Sequence, residues 1–156
     1  MYLDTFLKPN LRREIAYERV IELPIERGLE IAWTTVDDAA RLAVSLLQSD
    51  VWGETIRCAG AAAFDGDELA AAFTAILERR IAYRSVDLEI FRRDIESVIG
   101  PAAAAPVVAK FGFLARFPGE ARRMLGVSAN AIVARRDFRA TNLHDWIRTN
   151  RASFES

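Results

Sequence analysis

The sequence is short of the residues that most reactive sites use. Its 156 residues include one cysteine, Cys58, and one histidine, His144. A single cysteine excludes a disulfide within the chain, and its apolar neighbours at 56–59 are typical of a buried thiol. His144 is followed by Asp145, but successive side chains on a helix point about 100° apart. The pair is therefore not arranged for general-base catalysis, and we predict a structural role for His144 at the surface or a helix end.

An excess of one charge and a long apolar run are also missing. The 22 acidic and 21 basic residues nearly cancel, which argues against a nucleic-acid binder. No apolar run approaches the roughly 20 residues of a membrane helix, and the N-terminus lacks a signal-peptide pattern. We expect a cytoplasmic protein with no membrane or nucleic-acid partner. Because 51% of the residues are hydrophobic, the chain is long and apolar enough for one domain over residues 1–156.

Hydrophobic spacing predicts a few short strands among about six helices. Residues 1–18 form two short helical pieces separated at Pro9. Strands are expected at residues 20–23, 29–34, 55–59 and 81–86. Helices are expected at residues 39–47, 67–77, 88–99, 102–117 and 120–125, and from residue 143 onward. Residues 127–140 show no clear period. The fold class is α/β, with an α+β appearance locally.

Side chains suited to helix capping precede several of these helices. Thr35, Asp87 and either Thr141 or Asn142 stand where a side-chain oxygen accepts hydrogen bonds from the free N–H groups of the first turn. The pair Asp37 and Asp38 resembles a metal or acid/base pair. We interpret it as part of a cap, because the helix begins directly after it.

Short sequence patterns accompany these elements. Residues 36–41 read Val-Asp-Asp-Ala-Ala-Arg, an apolar segment ends at Gly60, and residues 77–83 run through two arginines to Tyr83. The series is completed by the aromatic opening at 2–6, Phe91 after Asp87, the Leu-Gly pair at 125–126 and the spacing from Thr141 to Trp146. In order and spacing, the series resembles the C-terminal substrate-binding region of NmrA-like proteins, which are atypical short-chain dehydrogenase/reductases. Glu78 stands where that family has a glycine.

The resemblance implies the C-terminal part of a Rossmann-type, NAD(P)-dependent oxidoreductase or redox-sensing protein. The family binds its dinucleotide on a glycine-rich turn, but none of the eight glycines forms a G-x-G-x-x-G motif. Tyr2, Tyr17 and Tyr83 also lack a lysine four residues later, so no Tyr-x-x-x-Lys pair exists. We expect no cofactor to bind this chain alone and no complete catalytic machinery, with NAD(P) implied only by the family.

Three interpretations of such a chain stay open. It is a fragment or lobe of a larger oxidoreductase, one subunit of a split protein whose partner binds the nucleotide, or a free-standing, non-enzymatic module that binds a protein or a small molecule. The sequence does not choose among them.

An aromatic group is the best candidate for a substrate site. Trp33 and Thr35 end a predicted strand, where ligands of open α/β sheets bind. Together with Tyr2, Phe6 and Phe91, they are predicted to line a cleft for a small apolar molecule, although core packing is the commoner role of each one. No catalytic or metal-binding residue is predicted.

A run of phenylalanines predicts a protein partner. The run contains Phe111, Phe113 and Phe117, and it lies in the region that covers the substrate site in the family. Without a nucleotide-binding half, part of this surface is expected to be exposed, so we predict a homo-oligomer or a missing nucleotide-binding partner.

Overall fold

The computed structural model of the chain describes residues 1–49, 53, 56–126 and 138–155. Within these ranges the chain forms seven α-helices: α1 Pro9–Arg13, α2 Val36–Leu47, α3 Gly66–Leu77, α4 Leu88–Ile99, α5 Pro101–Arg116, α6 Pro118–Leu125 and α7 Leu143–Thr149. Short helical turns cover Leu3–Leu7, Glu14–Glu18 and Arg151–Ser153. The predicted mixed α/β class is confirmed. No helix of the described part is long and apolar enough to cross a bilayer.

Two of the four predicted strands form a parallel pair. Strand β1, Val20–Leu23, pairs with β2, Ala82–Ser85, so that Val20 lies opposite Ala82 and Leu23 opposite Ser85. Helices α2 and α3 lie in the connection between the strands, as a parallel pair requires a long crossover.

The predicted strand at residues 29–34 is wrong. Its backbone N–H groups bond to separate parts of the chain: Ile31 donates to the Phe64 carbonyl at 3.0 Å, Ala32 to Leu125 at 2.7 Å and Thr34 to Met1 at 3.1 Å. Since no single neighbour follows the segment, only isolated bridges form.

The predicted strand at residues 55–59 is also wrong where it is described. Residues 56–59 form no strand, and Thr55 lies outside the described residues. Residues 127–137, which make up most of the segment without a clear period, also lie outside them. Nearby, the Gly60 N–H donates to the Ala32 carbonyl at 3.4 Å. A single contact of this kind does not make a ladder.

The helix starts follow the predicted caps. The Thr35 hydroxyl accepts from the Asp38 N–H at 2.9 Å, and Asp87 accepts from the N–H groups of the first turn of α4. Asn142, rather than Thr141, caps α7. Helix α5 begins at Pro101. Proline lacks an N–H group, but the first N–H of a helix has no carbonyl partner within the helix, so no hydrogen bond is lost there.

Asp38 is not a cap, which corrects the interpretation of the Asp37–Asp38 pair. Its side chain is fully buried and accepts two hydrogen bonds from Thr141, one from the backbone N–H and one from the hydroxyl, both at 2.8 Å. Arg41 also donates to the Asp38 carboxylate. The physical reason is position: Thr35 already supplies the capping oxygen, so the Asp38 carboxylate is free to join α2 to the segment before α7.

The core is built around linked aromatic rings. The ring of Phe73 on α3 contacts those of Phe6 and Phe154, with centroids 5.5 and 5.4 Å apart, and Phe154 contacts Trp146 at 6.3 Å. Phe6, Phe73 and Phe154 are completely buried. Burial of each such side chain contributes about 1.5–3 kcal/mol, so these rings join the N-terminal segment, α3 and the C-terminal segment.

Arg19 has a left-handed backbone that a glycine would adopt more easily. Its φ is 58°, and its side chain is exposed. Because a Cβ disfavours this region, Arg19→Gly is expected to raise the free energy of unfolding by about 1 kcal/mol. Urea unfolding measures the change. The matched variant Arg122→Gly, on an exposed residue inside α6, should lower the free energy by about 1 kcal/mol. Destabilisation by Arg19→Gly would contradict the expectation.

Candidate functional site

Four of the five predicted site residues come from two adjoining segments. The Leu3 N–H donates to the Thr34 carbonyl at 2.7 Å, and Tyr2 forms a parallel bridge with Thr34. This pairing places residues 2–6 beside residues 33–35. The rings of Phe6 and Trp33 lie 5.2 Å apart and tilted by 46°.

The four residues differ in exposure. Phe6 and Trp33 are buried in the core, whereas Tyr2 is 46% exposed. Thr35 is buried, and its hydroxyl is used as the cap of α2. The indole N–H of Trp33 is buried and has no hydrogen-bond partner among the described residues. The group therefore contains one exposed ring, that of Tyr2, and two buried rings.

Phe91, the fifth residue, lies on α4 and faces α5. Its ring meets that of Phe111 edge to face, with centroids 5.0 Å apart. The ammonium group of Lys110 lies 4.3 Å from the centroid of the Phe111 ring. Burial lowers the pKa of Lys110, and the charge of Lys8 lowers it further.

Lys110 also acts on the other end of the group. The pKa of the Met1 amino group is lowered first by burial and then by the charge of Lys110, while Cys58 raises it. The Met1 carbonyl accepts the hydrogen bond from the Thr34 N–H, so this amino group lies at the pairing of residues 1–3 with Thr34.

Two polar residues of this region were missed by the sequence analysis. The hydroxyl of Thr34 and the sulfur of Cys58 lie 3.4 Å apart, and either atom is able to donate. Cys58 is half-buried rather than fully buried. Nothing in the spacing of these residues predicts the contact, because it depends on how two loops pack. The sequence feature that came nearest to predicting this contact is Gly60, which ends the apolar segment containing Cys58.

Gly60 lies against the backbone of Trp33. A Cβ on Gly60 would stand 1.8 Å from the Trp33 carbonyl oxygen, far inside any allowed contact. Only glycine permits this approach, which fixes the segment with Cys58 beside the segment with Trp33.

The cavity beside Trp33 is too small for a substrate. It measures about 10 Å³ and is lined in part by Ile31, Trp33, Phe64 and Tyr83. That volume suits about one water molecule, whereas ligand pockets measure about 300–1,000 Å³. Of the five predicted site residues, only Trp33 lines this cavity.

The N-termini of α2, α3 and α4 do not suit a dinucleotide. A pyrophosphate needs free N–H groups on a glycine-rich turn. At α2, the Val36 N–H donates to the Asp4 carboxylate at 2.9 Å. At α3 and α4, the carboxylates of Asp65 and Asp87 take the N–H groups of the first turn. These carboxylates would repel phosphate, so these three N-termini do not fit the pyrophosphate of NAD(P). The described residues also contain no cluster of ligands for a metal ion.

Glu14, beside β1, carries a strongly shifted carboxyl group. Burial raises its pKa from 4.5 to about 7, and the nearby charges of Glu22, Glu18 and Asp94 add to the shift. One of its oxygens is buried without a hydrogen-bond partner among the described residues. Because the folded chain favours the protonated form, its contribution to stability is full below pH 4.5 and is lost as the pH rises towards 7.

Glu14→Gln should remove this pH dependence. Since glutamine stays neutral, we expect the variant to have a higher Tm than the wild type at about pH 8 and a similar Tm at about pH 4. Thermal unfolding at the two pH values measures the difference. Glu30→Gln, which changes an exposed carboxylate, is the control and should leave both Tm values unchanged. An equal gain from Glu14→Gln at both pH values would show that ionisation is not the cause.

Two solved structures share the fold. The chain superimposes on a nucleoside-diphosphate-sugar epimerase from Staphylococcus aureus with a TM-score of 0.73 and 23% identity, over 95% of this chain and 49% of that one. For a triphenylmethane reductase from Citrobacter sp., the values are 0.68, 15%, 96% and 50%. Comparisons with protein-family models and with curated proteins give no match.

These comparisons establish the fold and its extent. The chain spans about half the length of the two solved structures that it matches. At such low identity, the likeness concerns the course of the backbone alone. What either protein acts on is therefore a hypothesis for this chain.

Proposed function

We propose that the chain is the C-terminal, substrate-binding part of an NmrA-like, NAD(P)-dependent oxidoreductase or redox-sensing protein of the cytoplasm. The observation that carries the proposal is the aromatic wall of Tyr2, Phe6 and Trp33, beside which the described residues leave a cavity of only about 10 Å³. A wall of this kind needs a second surface to complete a site. The likeness to half of two larger structures supports the same conclusion.

In this proposal the second surface is a nucleotide-binding half, either upstream in a longer chain or in a partner subunit. NAD(P) belongs to that half, since carboxylates occupy the helix N-termini described above. The Tyr2 ring would face the substrate, and Phe6 and Trp33 would hold it from behind. Thr35 positions the wall by capping α2, and Phe91 with Phe111 would close the far end.

The aromatic wall favours an apolar, aromatic substrate over a sugar nucleotide. Rings bind rings by stacking and edge contacts, whereas a nucleoside diphosphate needs anion-binding groups. Triphenylmethane dye and UDP-glucose therefore serve as contrasting probes, measured by quenching of tryptophan fluorescence. We expect weak binding of the dye, with a Kd of about 1 mM, because one wall alone holds it.

Tyr2→Ala tests the wall. An aromatic pair contributes about 0.5–1.5 kcal/mol, so loss of one stacking ring should weaken dye binding about 2- to 10-fold. Phe117→Ala, which removes a similarly exposed ring from another surface, should leave dye binding unchanged. Tighter binding of UDP-glucose than of the dye, or dye binding that does not depend on Tyr2, would contradict the proposed substrate class.

A non-enzymatic module is the second candidate. The carboxylates at the N-termini of α2, α3 and α4 favour it, since they occupy three places where a dinucleotide phosphate would otherwise bind. In either case Phe113 and Phe117, 38% and 43% exposed with ring centroids 5.2 Å apart, would contact a second copy or the nucleotide-binding partner. A strictly monomeric chain in light scattering would rule out self-association.

A further inference from the structure

A second concave surface lies away from the aromatic wall. It is an open groove of about 400 Å³ between α1 with the turn Glu14–Glu18 on one side and the C-terminal turn Arg151–Ser153 on the other. Its volume falls in the range of small-molecule sites. Its lining includes Arg12, Arg13, Ala16, Tyr17, Ser153 and Glu155.

The two sides of the groove are held together from behind. Arg79, on the segment after α3, donates from one guanidinium nitrogen to the Ile15 carbonyl at 3.5 Å and to the Phe154 carbonyl. Ile15 and Phe154 are completely buried, so each side is anchored in the core. The groove is therefore fixed before any ligand arrives, which lowers the entropic cost of binding.

The charges in the groove are unbalanced. Arg12 and Arg13 make no hydrogen bond or ion pair through their side chains within the part of the chain that is described. Glu155, the acidic residue of the groove, is paired with Arg151. Two guanidinium groups thus line the groove without an ion-pair partner among the described residues, whereas the carboxylate of Glu155 is already engaged by Arg151.

We propose that this groove binds a small molecule that carries a phosphate monoester on an aromatic body. Guanidinium groups bind phosphate through paired N–H donors, and two of them match the charge of nearly −2 that a phosphate monoester has at pH 7. The Tyr17 ring is 65% exposed and provides a surface for the aromatic body. The Ser153 hydroxyl is a further donor at the opposite side.

The groove shares no residue with the aromatic wall, so this inference goes beyond the proposed function. It would hold equally if the chain were a non-enzymatic module. In that case the ligand would bind as an effector.

Calorimetric titration of the whole chain tests the inference with four probes. Phenyl phosphate combines the anion with the ring, inorganic phosphate and phenol each supply one part, and benzoate replaces the dianion with a monoanion. We expect phenyl phosphate to bind most tightly, with a Kd of about 1 mM or below. Inorganic phosphate and benzoate should bind more weakly, and phenol least.

Variants locate the binding. Arg12→Ala and Arg13→Ala should each weaken phenyl phosphate binding about 10-fold or more, because each removes a charge-assisted hydrogen bond to the phosphate. Tyr17→Ala should reduce its affinity to that of inorganic phosphate. Arg80→Ala, which removes an exposed arginine outside the groove, is the matched control and should change nothing.

Two results would overturn the inference. One is the absence of phenyl phosphate binding to the wild type at millimolar concentration. The other is binding that Arg12→Ala and Arg13→Ala leave intact or that Arg80→Ala weakens equally, which would show a general attraction of anions. Circular dichroism of each variant checks that the fold is retained. Tyr2→Ala, the variant of the aromatic wall, should leave phenyl phosphate binding unchanged.

Discussion

Asp38→Ala is expected to lower the free energy of unfolding by about 3–5 kcal/mol, the sum for two hydrogen bonds to a charged group. The fully buried carboxylate accepts both hydrogen bonds from Thr141 and also pairs with Arg41. Its removal leaves the N–H and hydroxyl of the half-buried Thr141 without this partner, and each unpaired group is costly. The segment before α7 would also lose its link to α2.

Asp37→Ala is the matched control for this prediction. Asp37 is the neighbouring carboxylate, it also pairs with Arg41, and its side chain is 77% exposed. Exposed ion pairs contribute less than about 1 kcal/mol, so the control should change stability little. Urea unfolding of both variants measures the contrast. Equal effects would mean that Asp38 does not join the two segments.

Gly60→Ala is expected to be the second large effect, a loss of about 3 kcal/mol. The added Cβ would collide with the Trp33 carbonyl oxygen at 1.8 Å, and a backbone atom on each side must move to relieve the contact. The Thr34–Cys58 contact lies beside this approach and should loosen. Thiol-modifying reagent should then react faster with Cys58 in the variant.

Gly28→Ala provides the comparison, because a Cβ at Gly28 meets no atom within 4 Å. We expect it to be neutral or slightly stabilising, since alanine restricts the unfolded chain more than glycine does. A Gly60→Ala variant as stable as Gly28→Ala would show that the backbone at Trp33 adapts to the added atom.

The helices were the most predictable part of the fold. Apolar spacing and capping oxygens act over a few residues, and both are visible in α2 with Thr35 and in α4 with Asp87. The strand predicted at residues 29–34 failed for the opposite reason. Its composition suits a strand, but a ladder also needs one continuous neighbour, and the partners of this segment come from separate parts of the chain.

The candidate site was predictable only in part. Placing Tyr2, Phe6 and Trp33 in one group agrees with the contacts of residues 1–6 with residues 33–35. The Asp38–Thr141 contact joins residues 103 positions apart, and no local pattern separates a carboxylate with that role from a capping one. The groove of Arg12 and Arg13 likewise depends on the C-terminal turn lying opposite α1.

Calorimetric titration of the purified chain with NADPH and NADH tests the central claim, that this polypeptide supplies a substrate wall and not the cofactor site. We expect no binding of either dinucleotide by the aromatic wall or by the capped N-termini of α2, α3 and α4. A weak binding signal would come from a phosphate group of the dinucleotide in the groove of Arg12 and Arg13. This signal should disappear in the Arg12→Ala and Arg13→Ala variants. Micromolar binding that survives these two substitutions would contradict the account and would show a dinucleotide site within this chain.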